Sequence, residues 1–166
     1  MDKVNRNLDD IERRLSKSIQ IVEKGEKMKF GDAIQLGRKS NSIVSSIRRG
    51  IKEYDGSNPT EEEARKTLSR MQHIVELTEN QLDLMVTNRL RFEEMKVGGL
   101  VKKNMLKSRD ASQDLSKVML EKSPPSLKEE AEKLDKRRAV GFEKANKAFA
   151  EASGGEDQAD GEDDSD

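Results

Sequence analysis

The chain has 166 residues, of which 39% are charged, 32% hydrophobic and 3% aromatic, with a formal net charge of −1. That length suits one helical domain with a modest core, and so small an apolar share must be arranged as narrow aliphatic stripes rather than broad faces. No apolar run is long enough to span a membrane, the start MDKVNRNLDDIERR lacks the apolar segment of a secretory signal, and zero cysteines exclude disulfides, thiolate catalysis and cysteine-based zinc sites without deciding the compartment.

Val4, Leu8, Ile11, Leu15, Ile19 and Val22 recur at alternating threes and fours and predict a first helix ending near Gly25. Phe30, Ala33, Ile34, Val44, Ile47, Ile51 and Tyr54 trace a second, weakened by Gly31, Gly37 and Gly50 and stopped by Asp55-Gly56 and Asn58-Pro59. Thr60 to Glu63 reads as a capping box opening a third helix, the longest, whose stripe of Ala64, Leu68, Met71, Val75, Leu82, Met85 and Phe92 reaches about Phe92. Gly98-Gly99 interrupts the pattern before a fourth helix carrying Val101, Met105, Ala111, Leu115, Val118 and Met119, ended by Ser123-Pro124-Pro125. Ser126 with Glu129 reads as a second capping box, opening a fifth helix with Leu127, Ala131, Leu134, Gly141, Phe142, Ala145 and Phe149 inward. Short links favour antiparallel neighbours. The expected fold is therefore all-α: a bundle of about five antiparallel amphipathic helices over residues 1–152. Residues 153–166 are expected to form a disordered acidic tail, because GGEDQADGEDDSD offers no apolar side chain larger than alanine to repay its ordering.

Seven of the 33 acidic residues lie in residues 156–166, which leaves 26 against 32 basic residues in the rest of the chain. The basic residues alternate with Glu and Asp as on solvated helix faces. The doublets Arg48-Arg49, Lys102-Lys103 and Arg137-Arg138 have no aromatic platform beside them, so nucleic acid is disfavoured as a partner. His73 is the only histidine, which rules out histidine-pair metal sites and most catalytic triads, and no nucleophile elbow, phosphate loop or zinc-protease motif occurs. The expectation is a non-enzyme without metal or cofactor. Gly98-Gly99 ahead of Lys102-Lys103 is read either as a hinge or as a set of backbone donors for an anion. The inward stripes are read either as plain core or as the lining of a slot for an apolar ligand, for which adaptable methionine is suited.

Several short stretches resemble the fungal hydrophobic surface binding protein A family, which includes the cell wall galactomannoproteins. Leu90-Arg91-Phe92 followed by Val97-Gly98-Gly99-Leu100-Val101 is similar to the family's Phe-containing segment and the Val-Gly-Gly/Ser-Leu-Val opening of its next helix. Lys122-Ser123-Pro124 and Ser126-Leu127 resemble its helix-ending Lys-x-Pro and the Leu that begins its last helix. Asp10-Ile11 resembles an early Asp-Ile pair, and Phe142 with Ala145 sits where the last helix carries Phe or Ala, so the register runs from about residue 8 to 150. The helices here are richer in Lys, Arg and Glu than the family's.

The resemblance implies a non-enzymatic bundle that takes up a fatty acid or other apolar ligand, or adheres to a hydrophobic surface, and that is secreted or held in the cell wall. The alternative reading of the residues is a cytoplasmic helical protein that binds or scaffolds a protein partner, motivated by the charged faces and acidic tail. Under the first reading the expected lining residues are Ile47, Val75, Leu82, Met85, Val101, Met105, Leu115, Met119, Leu134 and Phe142, all on inward faces.

Overall fold

A computed structural model describes residues 1–163. Among them are six α-helices and no strand: α1 (Asp2–Val22), α2 (Phe30–Asp55), α3 (Glu61–Thr87), α4 (Arg89–Glu94), α5 (Gly98–Lys122) and α6 (Lys128–Ala148). The first stripe is buried along its whole length, from Val4 to Val22. α2 runs unbroken through its three glycines, and two of them show why glycine stands in a helix at all. A methyl group at Gly37 would come within 2.8 Å of Asn104 Nδ2 on α5, and one at Gly50 would run into the Asn7 side chain on α1. The cost in helix propensity is therefore exchanged for close helix approach. Phe30, expected inward, is 54% exposed, because the buried line of α2 passes through Ala33, Leu36, Ile43, Ile47, Gly50 and Tyr54 instead.

The capping box of α3 forms as expected, with Glu63 N donating to Thr60 Oγ1 at 3.2 Å and Thr60 N to Glu63 Oε1 at 3.0 Å. Its stripe does not reach Phe92 in one helix. Asn88 turns its amide back onto the Leu84 carbonyl at 2.8 Å, ending α3, and α4 then carries Phe92 into the core. The second capping box is not made: Ser126 lies in a 3₁₀ turn, Pro125–Leu127, and its hydroxyl donates at 2.6 Å to Glu61 across the bundle. Proline at the head of that turn favours the tight 3₁₀ start and displaces the helix to Lys128.

The five long helices form a closed ring in the order α1, α2, α5, α6, α3 and back to α1. The chain neighbours α1/α2 and α5/α6 are antiparallel, as short links require: Asn7 meets Ser46, and Ser116 meets Asp135. The other three interfaces are parallel, as the pairs Arg70–Glu12 and Gln81–Ser18, Ser40–Ser108 and Arg48–Asp114, and Arg137–Glu79 with Gly141 beside Leu82 show. An odd ring cannot alternate throughout. The buried side chains fall into two clusters. One gathers Phe92, Leu100, Phe142 and Phe149, and the other Ile11, Ile43, Met71 and Leu115.

Residues 153–163 depart from the expected free tail and run along α2 and α5. Leu100 N donates to the Gly154 carbonyl at 2.9 Å, Asn41 Nδ2 donates to the carbonyls of Ala159 and Gly161 at 2.7 and 2.8 Å, and Asp163 N donates to Ser42 Oγ at 3.0 Å. Ala159 is buried. Side-chain burial alone gives no reason for order here, but this segment is held through its backbone and follows a path that needs positive φ at Gly154, Gly155 and Gly161. The rest of the expected tail, 164–166, lies outside the described residues.

Candidate ligand cavity

Helix axes pack roughly 8–10 Å apart, so in a ring of five each axis stands roughly 7–8.5 Å from the centre, while a helix with its side chains reaches only about 5–6 Å. Such a ring leaves an axial space that the side chains must fill. Here they leave a cavity of about 70 Å³, lined from all five long helices and bridging the two core clusters. Ile11 and Leu15 come from α1, Leu36 and Ile43 from α2, Met71 and Ile74 from α3, Leu100 and Met105 from α5, and Phe142 from α6.

Eight of the ten residues expected to line a slot meet in this cavity: Ile47, Val75, Leu82, Met85, Val101, Met105, Leu115 and Phe142. The other two, Met119 and Leu134, line an adjoining space of about 30 Å³ between α3, α5 and α6, which shares Met71, Val75 and Arg138 with the main cavity. The heptad-like stripes brought the apolar lining together because each predicted helix exists in nearly its predicted register.

The sequence reading missed the polar groups at the waist of the cavity, between the two clusters. Asn104, Ser108 and Ser112 follow one another at four-residue spacing on α5, with Ser40 Oγ 3.3 Å from Ser108 Oγ, and Thr78 and Gln81 stand on α3. Asn104 is 3% exposed, and its Oδ1 has no hydrogen-bond partner. Arg138, read as half of a surface doublet, is buried and lines the cavity. Its signal was present: it falls four residues from both Leu134 and Phe142, on the apolar stripe of α6. Asp135, one turn earlier, accepts from Arg138 Nε at 3.1 Å, Arg138 Nη2 at 2.8 Å and Ser116 Oγ at 2.6 Å. Burial alone would push the Asp135 carboxyl up. The hydrogen bonds from Ser116 and Arg138 and the guanidinium charge outweigh it and hold the group below the ordinary carboxylate range.

The other charged features singled out in the sequence lie at the surface. His73 Nε2 stands 3.0 Å from Glu12, Arg48 pairs with Asp114 at 2.5 Å and Arg137 with Glu79 at 2.6 Å, and Lys102 donates to the Ala150 carbonyl. The Gly98-Gly99 pair opens α5 against the chain's own 152–156 segment, where a methyl group at Gly98 would meet Ala152 at 3.2 Å and one at Gly99 would run into Glu156. Among the described residues no helix is long and apolar enough to cross a membrane.

The sequence profile of the hydrophobic surface binding protein A family matches residues 1–121. Among solved structures, ligand binding domain 2 of the Penicillium marneffei MP1 protein in complex with arachidonic acids superposes with a TM-score of 0.84 at 21% identity, over 92% of this chain and 96% of that one. Ligand binding domain 1 of the same protein, complexed with arachidonic acids, gives 0.80 at 20% identity over 87% and 95%. AfMp4p in complex with palmitic acid gives 0.84 at 13% identity over 89% and 98%. At these identities the likeness is one of fold. No curated protein matches the chain by sequence.

Proposed function

The chain belongs to the hydrophobic surface binding protein A family, and on that premise we propose that it is a non-enzymatic binding protein that takes a lipid-like apolar molecule into the space enclosed by its five long helices. One observation carries the reading: the apolar side chains of all five helices converge on a central cavity instead of closing over it. The ten residues from Ile47 to Phe142 named above are its lining, Met119 and Leu134 joining when the adjoining space merges with the main one. The solved structures of the same fold that hold arachidonic or palmitic acid support the choice of ligand class. Family membership also supports a place outside the cell or in its wall, which fractionation of the native host with an antibody to this chain would test.

A ligand that binds only the folded state raises its stability by RT ln(1 + [L]/Kd), about 2.7 kcal/mol at a hundredfold excess over Kd. Thermal unfolding with and without palmitate should therefore show a clear rise in midpoint, and a folded Val75→Glu or Met85→Glu variant should show none. An unchanged midpoint at saturating palmitate would refute the proposal and favour the alternative, in which the charged faces are docking surfaces for a protein.

A further inference from the structure

The cavity wall is apolar with a polar waist, and only one of the side chains that line it is charged. Arg138 is 8% exposed, so its guanidinium is almost wholly removed from water, which is costly unless its donors are satisfied. They are satisfied unevenly. Nε and Nη2 both turn to a single oxygen, Asp135 Oδ1, while Nη1 makes only a long 3.4 Å contact with Ser112 Oγ. A guanidinium has five N–H donors in a fixed fork, and a hydroxyl at that distance is a poor acceptor beside a carboxylate.

Two further observations point the same way. Ser112 ends the polar line of Asn104, Ser108 and Ser112 on α5, and the unpartnered Asn104 Oδ1 shows that the waist holds polar capacity its own residues do not use. Arg138 also lines an open surface cleft between α5 and α6, where Lys117, Lys128 and Lys147 are mixed with Glu121 and Glu143, so the residue stands between the interior cavity and that cleft.

We propose that Arg138 is the headgroup-binding and specificity-determining residue of the cavity: the ligand is a single-chain carboxylate that passes between α5 and α6, lays its chain along the apolar axis, and replaces Ser112 at Arg138 Nη1 with its own oxygen. Asp135 keeps the guanidinium neutralised while the cavity is empty and competes with the ligand once it enters. The proposal rests on the cavity reading given above and adds to it a headgroup and a route.

The test compares palmitate with methyl palmitate, which has nearly the same chain and no charge, by displacement of a fluorescent fatty-acid analogue. Wild-type protein should prefer palmitate by about ten- to a hundredfold, the range set by a charge-assisted hydrogen bond. Arg138→Gln should bring the two ligands to within about twofold, by weakening palmitate alone, while Arg138→Lys retains part of the preference. Asp135→Asn, which removes the competing anion, should strengthen palmitate binding and leave the ester unchanged; a merely structural Asp135 would weaken both, and this arm does not depend on the folding of the arginine variants. Equal binding of acid and ester by wild type, or an undiminished preference in folded Arg138→Gln, would overturn the headgroup assignment with the apolar-cavity reading intact. Binding of neither ligand would overturn both.

Discussion

At Gly50 the packing of α1 against α2 depends on the absence of one carbon. The Asn7 amide on α1 donates to the Ser46 carbonyl of α2 at 2.8 Å and occupies the volume that a side chain at position 50 would fill. Gly50→Ala should therefore destabilise the fold by about 1–3 kcal/mol, the usual cost of overpacking, despite alanine's better helix propensity. Adding Asn7→Ala should recover part of that loss, and a double-mutant cycle of unfolding free energies would show it as a coupling; strict additivity would mean that the helices separate freely there. A sequence reader sees Gly50 only as a weak point in a helix, because propensity is local and the partner is forty-three residues away.

Asp10, on the exposed edge of the same interface, makes a prediction in pH. Burial raises its carboxyl, but hydrogen bonds from Arg14, Ser46 and Arg13 and the Arg14 charge more than reverse this, so its value in the folded chain lies below the ordinary 3.8. A carboxylate depressed on folding adds stability above its unfolded value, and that stability disappears as pH falls through the folded value. The contribution of Asp10, like that of Asp135, should thus be constant from neutrality to about pH 5 and be lost progressively below about pH 4. Asp10→Asn should lower the midpoint near pH 7 and flatten its fall in acid. An unaltered acid slope, followed by circular dichroism, would assign the loss to other carboxylates.

At the level of elements, the helices whose signals are local were the legible ones. Thr60 with Glu63 and the stripes of α1 and α5 specify their helices from within, and Thr60→Ala should cost about 1 kcal/mol, as loss of an N-cap side chain does. What the sequence did not disclose depends on distant partners. The Ser126–Glu129 pattern has the spacing of a cap, yet Ser126 is drawn to Glu61 on α3. The segment after Ser153 has the composition of a disordered tail, yet Asn41 supplies it with a donor for two carbonyls and Ala159 is buried in the same core cluster as Val97 and Leu100. Hydrogen exchange would distinguish a docked segment from a free one: deletion of residues 153–166 should accelerate exchange at the start of α5, where Leu100 N loses the Gly154 carbonyl, and leave α3 unchanged. The same rates in full-length and shortened chains would mean that the segment detaches readily in solution.

For the whole molecule, the tension lies between the size of the cavity and the size of its proposed occupant. The ring encloses about 70 Å³, whereas sites that engulf small molecules commonly measure about 300–1,000 Å³. An acyl chain therefore fits only if the ring dilates or side chains withdraw. Met71, Met85 and Met105 are the side chains able to do so, since an unbranched thioether repacks with little loss. Dilation also has a natural seam, because the α5/α6 interface faces an open cleft and is bridged by the Ser116–Asp135 and Arg138–Ser112 contacts rather than by apolar interlock alone. If opening precedes binding, the observed association rate cannot rise without limit as ligand is added; it reaches the rate of opening. Stopped-flow mixing with a fluorescent fatty acid should accordingly give rates that level off at high ligand concentration. A disulfide joining α5 to α6, introduced at two exposed positions of suitable geometry, should lower that plateau in the oxidised protein and restore it on reduction. A rate that stays linear in ligand, unaffected by the crosslink, would place an open form already in the majority and move the route of entry away from the α5/α6 seam.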